Sequence, residues 1–401
     1  MNNSSKSIEN QIKNNSEGKL REIAQLTFAH LINDIYFPVL LALQPILITT
    51  LGFSYFQASL LPAMHSIISS LLQPVFGRLA DKKGFRVSVS LSILFSGCGI
   101  ALLGQLSDHY LIMLGCVALS ALGHATFHPG ALSKVNAVAA TGKNRGKLTS
   151  FFVVGGNLGQ ALGPIIGGIA LAHGGIPAIT WLIIPAVIGA LIILVHPIPD
   201  THPIESSTTK NYDENWNPVL LLFAGSTLRM WVTLGVMTFL PTFLVLQGYK
   251  ILDATTLVSV MLLAGVAGQI TGGVISDRIG RKPIVVVTTL AAIPAFLGVL
   301  YSQGILLILS ILIFGFLLWS SFAVTIAMAH EMMPSHIGLI SGLFLGISMG
   351  VGGIGVSISG ILADKIGLNS TLMIFPVIIL VSAVLFWLVR YPGKIDLSSD
   401  H

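Results

Sequence analysis

Gly77-Arg78-Leu79-Ala80-Asp81-Lys82-Lys83-Gly84-Phe85-Arg86 is a short charged turn set between two apolar runs, near 54 to 77 and near 87 to 106. The chain repeats it 196 residues later as Gly273-Val274-Ile275-Ser276-Asp277-Arg278-Ile279-Gly280-Arg281-Lys282, again between apolar runs. Both copies have the form G-x-x-x-D-x-x-G followed by basic residues. The same ungapped shift superposes Pro45 on Pro241, Gly52 on Gly248 and Gln73 on Gln269. Glycine and proline are common in all membrane helices, but glutamine and aspartate are not. The coincidences therefore point to a duplicated chain rather than to composition.

Working outward from the two turns, apolar runs of the length needed to cross a hydrocarbon core lie near 23–50, 54–77, 87–106, 110–133, 148–172 and 176–196. A second set follows near 218–247, 254–276, 284–302, 304–330, 337–363 and 370–389. Of the 401 residues 53% are hydrophobic and only 9% charged, where soluble domains carry about 25%. So few charges cannot cover a water-soluble fold. The expectation is an all-α integral membrane protein of twelve transmembrane helices in two pseudo-symmetric six-helix halves, 23–196 and 218–390, with tails at 1–22 and 391–401 and a central loop at 197–217. Parallel halves of this kind build transporters, with the substrate site at the midplane between them. Of the 21 Lys and Arg, 18 fall on the side of the N-terminus, Lys250 and Lys365 fall on the other, and Arg229 lies inside a span. The positive-inside bias makes that side cytoplasmic, for both termini of a multi-pass plasma-membrane protein.

Several functions are excluded. Residues 1–19 are rich in Asn, Ser and Lys and lack the apolar centre of a secretory signal. Cys98 and Cys116 lie in apolar runs, which argues against a disulfide framework or a zinc–thiolate site. The net charge of +5 is spread over short loops, so no patch suited to nucleic acid forms. No nucleotide-binding loop, metalloprotease motif or nucleophile pair is present. The expectation is a monomeric non-enzyme with no cofactor or metal and no nucleic-acid or nucleotide partner. It meets the lipid bilayer and a small-molecule substrate, and an ion gradient, proton before sodium, supplies the energy.

The doubled turn resembles the cytoplasmic signature of the major facilitator superfamily, and the resemblance implies that superfamily's twelve-helix fold. In such a turn Gly77, Gly84, Gly273 and Gly280 permit close helix approach, Asp81 and Asp277 can accept from a neighbouring helix N-terminus or pair with an Arg, and Arg86 and Arg281 are among the basic residues that follow. A latch that breaks as the halves rock is one reading. A static ion pair is the other. In the fifth span Gly159-Gln-Ala-Leu-Gly163-Pro164-Ile-Ile-Gly167-Gly168 spaces small residues for tight packing, and it resembles the signature of drug/proton antiporters within the superfamily, which implies export. His30-Leu-Ile-Asn33-Asp34, Ser69-Ser-Leu-Leu-Gln73-Pro74, Phe127-His128-Pro129 and Val154-Gly155-Gly156-Asn157-Leu-Gly159 together look like the fosmidomycin-resistance branch of these transporters. In that branch an acidic residue follows Phe-His-Pro, and here Gly130 stands there.

Asp34 is the one acidic residue near the middle of a span and Arg229 the one basic residue. Ionisable groups at that depth cost several kcal/mol, of order 3, unless paired or hydrated, and mark function by default. The 196-residue register lays Arg229 on Asn33, beside Asp34, so both are expected at the same depth of a central cavity. Asp34 is then the proton carrier, with Arg229 as counter-ion or as clamp for an anionic substrate; a permanent Asp34–Arg229 pair that only positions helices is the alternative. His30, His65, His124 and His128 also lie in spans and suit proton relay or hydrogen bonding. His65, nearest its span's middle, and His30, one turn from Asp34, come ahead of His124 and His128. The functional expectation is proton-coupled efflux of a drug or small metabolite by alternating access, with an importer or facilitator as the alternative and a transporter-like sensor more remote.

Overall fold

A computed structural model describes residues 2–83, 87–107, 109–139, 145–198 and 215–391, with side chains for 18–79, 87–107, 109–138, 148–198 and 215–391. Among them are twelve helices long and apolar enough to cross a membrane: α1 Gly18–Thr49, α2 Tyr55–Leu79, α3 Val89–Leu106, α4 Tyr110–Val138, α5 Leu148–Gly174, α6 Ile176–Val195, α7 Trp216–Leu246, α8 Ile251–Ile279, α9 Arg281–Tyr301, α10 Gly304–Met332, α11 Pro334–Ile366 and α12 Leu368–Leu388. No strand occurs among the described residues.

The two halves repeat one packing scheme. In the first, α1 lies on α5, α3 on α4 and α6, and α2 on α4; in the second, α7 lies on α11, α9 on α10 and α12, and α8 on α10. Two long seams join the halves, α2 along α11 and α5 along α8, and the later part of α1 also meets α7.

Several spans are interrupted where their sequence forbids a regular ladder. Pro38 has no N–H for the Asp34 carbonyl one turn back, and α1 breaks at Ile35 between the helical stretches Asn2–Asp34 and Tyr36–Thr49. In α10 a single non-helical residue, Ser321, separates Gly304–Ser320 from Phe322–Met332. The first turns of α11 contain a π segment, Gly342–Ile347, before the regular helix Ser348–Ile366.

The glycines of the antiporter-like stretch form a face of α5 laid against α1. A Cβ on Gly159 would lie 3.1 Å from Asp34 Cβ and would collide with the Leu31 carbonyl; one on Gly163 would lie 2.6 Å from the Ile35 carbonyl and 2.7 Å from Pro38 Cβ. Gly167 meets Ala42 in the same way, at 2.9 Å, and Gly168 faces Thr255 of α8. Pro164 lies inside an unbroken α5. The stripe thus carries the helix bearing Asp34 at near backbone contact. We expect Gly159→Val to cost about 1–3 kcal/mol of stability, seen as a lower thermal midpoint of the purified protein; a midpoint equal to wild type would refute this packing.

Along the α2–α11 seam the spacing widens toward the end that carries the chain termini. A Cβ on Gly353 would lie 3.0 Å from the Ala63 carbonyl, on Gly350 3.2 Å from Ser70 Cβ and on Gly346 3.7 Å from the Ser70 carbonyl, while on Gly342 and Gly77 it would meet nothing within 4 Å. At the opposite end the α5–α8 seam is closed as well, with Ile165 N donating to Ser259 Oγ at 3.0 Å. Along the α2–α11 seam the helices therefore touch at the end away from the termini and stand further apart toward the other.

Candidate functional site

Asp34 is buried in the first half, 2% exposed. The break at Ile35 ends its helical stretch, and the glycine face of α5 presses α1 inward around it. Its Oδ1 accepts from Asn33 Nδ2 at 3.0 Å and its Oδ2 from Gln160 Nε2 at 3.4 Å. Three imidazoles stand around the same two oxygens: His30 Nε2 at 3.3 Å from Oδ2, His128 Nε2 at 3.6 Å and His124 Nδ1 at 3.9 Å from Oδ1. Among the described residues no lysine or arginine joins them.

The hydrogen bonds fix much of the proton placement. His30 Nδ1 lies 2.8 Å from the Phe152 carbonyl, which only accepts, so that nitrogen carries a hydrogen and Nε2 faces the carboxylate. Ser96 Oγ donates to Asn33 Oδ1 at 2.8 Å, holding the Asn33 amide so that it donates both to Asp34 and to His124 Nδ1, the latter at 3.2 Å. His124 is then left to donate through Nε2 to His128 Nε2, 3.0 Å away. His128 is the accessible member of the cluster, its side chain 27% exposed. The result is a connected chain of hydrogen-bonding groups, buried at Asp34 and partly exposed at His128.

His30, Asp34 and His128 each bring one donor atom within 4.8 Å of the other two, a spacing that also admits a small cation. Both carboxylate oxygens already accept amide hydrogen bonds and the His124–His128 contact is closed. In this structure those hydrogen bonds join the same groups into one network.

His65 is buried but stands apart from Asp34. Its ring packs at 5.0 Å on Phe37 and 5.4 Å from His124, and its Nδ1 has no partner. The order expected from the sequence is therefore changed: His124 and His128 reach the carboxylate and His65 does not. Gln160 and Ser96 belong to the site although sequence reasoning passed over them. The signal for Gln160 was its place beside Gly159 on the face turned toward α1.

Arg229 departs from expectation more strongly. It is 4% exposed, and its guanidinium turns to α10 of its own half, where Nη1 donates to the Leu318 carbonyl at 3.3 Å and to Ser321 Oγ at 3.2 Å, and Nη2 to Thr325 Oγ1 at 3.4 Å. Its Cζ stands 5.4 Å over the Phe322 ring, and Nε has no partner. No carboxylate pairs with it among the described residues. The permanent Asp34–Arg229 pair and the counter-ion role are both absent from this arrangement, where each group's partners lie in its own half. The buried guanidinium is thus braced by hydroxyls, a carbonyl and the Phe322 ring.

The turn motifs divide. In the second copy Arg281 Nη1 donates to Asp277 at 2.5 Å, while Nε and Nη2 donate to Glu331 Oε1 at 3.1 and 3.0 Å. Tyr391 donates to the other Glu331 oxygen, and burial together with that bond pushes its phenol above the ordinary tyrosine value. Asp277 is thus held by an ion pair within one half, and Glu331 is tied into the same network. Gly280, at φ +102°, ends α8 in a conformation that favours glycine. Gly273 meets nothing within 4 Å. The side chain of Asp81, and Gly84 and Arg86, lie outside the described residues.

Comparison with known proteins agrees with this architecture. The chain is 29% identical over 358 residues to a fosmidomycin resistance protein of Escherichia coli (strain K12), spanning 85% of this chain and 86% of that one. It is 28% identical over 362 residues to YfnC of Bacillus subtilis (strain 168), described as an uncharacterized MFS-type transporter, spanning 86% and 87%. Among solved structures, a bacterial homologue of the human lysosomal transporter Spinster, inward-facing and unoccupied, superposes with a TM-score of 0.76 at 17% identity over 92% of this chain and 96% of that one. The profile of the Major Facilitator Superfamily matches residues 26–354, and with the doubled turn and the paired six-helix halves it makes the chain a member of that superfamily, a multi-pass membrane transporter.

Proposed function

We propose that the protein is a proton-coupled antiporter that exports a small anion-bearing organic compound across the plasma membrane, with both termini cytoplasmic. The observation that carries this reading is the company Asp34 keeps. A carboxylate buried at membrane depth must be neutralised, and its possible counter-cations here are all imidazoles. Its balancing charge is therefore a proton that can leave, not the fixed charge of Lys or Arg. His128 connects that proton to water on the side where the halves diverge. Arg229, on the opposite wall and without a carboxylate, supplies the anion clamp.

Export is supported by the glycine face of α5 and by the fosmidomycin-resistance relative, and fosmidomycin is the first substrate to try. The monomer suffices, since both walls come from one chain, and neither cofactor nor nucleotide enters the cycle. The test is transport in liposomes containing the purified protein and an entrapped pH dye, with fosmidomycin added outside under an imposed pH gradient. Antiport requires protons to move opposite to the substrate. Substrate movement that ignores the gradient would instead establish a facilitator.

A further inference from the structure

Gly360-Ile361-Leu362-Ala363-Asp364-Lys365-Ile366-Gly367 carries the pattern G-x-x-x-D-x-x-G a third time, at the C-terminal end of α11. The two earlier copies close α2 and α8 at the end bearing the chain termini. This one lies at the opposite end, where the halves are shut. Asp364 Oδ1 accepts from the backbone N–H of Tyr55 at 2.7 Å and Oδ2 from that of Phe56 at 3.0 Å. These N–H groups belong to the first turn of α2, which a helix leaves without internal partners, and the carboxylate also meets the positive end of that helix's dipole.

The flanking glycines have separate tasks. A Cβ on Gly360 would lie 2.9 Å from Phe56 Cα and from the Tyr55 carbonyl, so its absence lets the two helices close to backbone distance. Gly367, at φ +82°, ends α11 by turning the chain through a conformation that favours glycine, leaving Asp364 in the last turn.

We infer that Asp364 is the latch of the gate at the end away from the termini, holding α11 of one half to the start of α2 of the other, and that the gate opens by giving up these two bonds. Among the described residues Asp364 pairs with no cation, unlike Asp277, which is held by Arg281 of its own half. Its donors are backbone groups at an exposed edge. On opening, carboxylate and helix end both return to water, so the clasp is firm when closed and releases without stranding a buried charge.

The test uses the full chain with Cys98 and Cys116 replaced by Ala and spin labels on His109→Cys and Asn369→Cys, exposed sites of opposite halves near this end. The readout is the distance distribution in lipid by double electron–electron resonance. Losing these two solvent-exposed hydrogen bonds, each weaker than a buried charge-assisted one, should raise the ratio of long to short distances about ten-fold in Asp364→Ala. Asp364→Asn, which keeps one acceptor oxygen, should fall between, and Lys365→Ala should match the parent. An unchanged distribution in folded Asp364→Ala overturns the inference, as does an equal shift in Lys365→Ala. If the alanine variant fails to fold, an unchanged distribution in Asp364→Asn decides against it equally.

Discussion

Asp34→Asn is expected to abolish uphill transport while leaving the protein folded. The amide is nearly the size of the carboxyl, so the glycine face of α5 still fits, and its oxygen still accepts from Asn33 or Gln160. What disappears is the charge against which a proton is held at His30 or His128. One-for-one exchange with protons sustains about a ten-fold substrate ratio per unit of pH gradient. In the asparagine variant that ratio should fall to one, with any remaining movement running only downhill. The measurement is substrate accumulation in proteoliposomes at a fixed pH difference. A variant that still concentrates substrate would place the coupling proton elsewhere.

Arg229→Met should separate stability from function in opposite directions. Truncating a charge-assisted contact to an anion costs about 1.5–3 kcal/mol, which raises KM for an anionic substrate by roughly 10- to 150-fold, whereas a neutral analogue loses little. The empty transporter should become more stable, because a buried cation with no carboxylate carries a desolvation cost that an apolar side chain of similar length removes. The polar groups left behind are already provided for: Thr325 Oγ1 donates to the Phe322 carbonyl at 2.8 Å and Ser321 Oγ to the Leu318 carbonyl at 3.5 Å. A thermal midpoint raised by about 2–4 °C for each kcal/mol recovered, beside lost transport of anions, is the expected pair of results. A lowered midpoint would mark Arg229 as a structural brace.

The fold was legible because a bilayer leaves a helix few alternatives: apolar runs of spanning length, basic loops on one side and a doubled turn determine most of the architecture. Within the site, Asp34 and His30 could be joined from their spacing alone, one helical turn apart. The link from Asp34 to His124 and His128 could not, since it depends on α1 meeting α4 across some ninety residues of chain. The 196-residue register was informative about depth and misleading about contact, for it relates Arg229 to Asn33 as counterparts on facing walls. That register also stepped over the copy ending at Gly367, which occupies the other helix of the α2–α11 seam rather than the equivalent turn of the other half.

If the protein exchanges proton for anion as proposed, the separate loyalties of Asp34 and Arg229 bear on how faithful that exchange is. Each group's partners lie in its own half, so proton and anion do not displace one another by touch and their effects in a fixed conformation should be close to additive. Interdependence then arises only through the shared swing of the two halves, and linkage makes it mutual: whatever factor the proton imposes on anion affinity, the anion imposes on proton affinity. An exchanger built this way has no mechanical interlock against turning over with one wall empty. Its stoichiometry is a ratio of rates, and slippage is set by how costly each half-loaded crossing is.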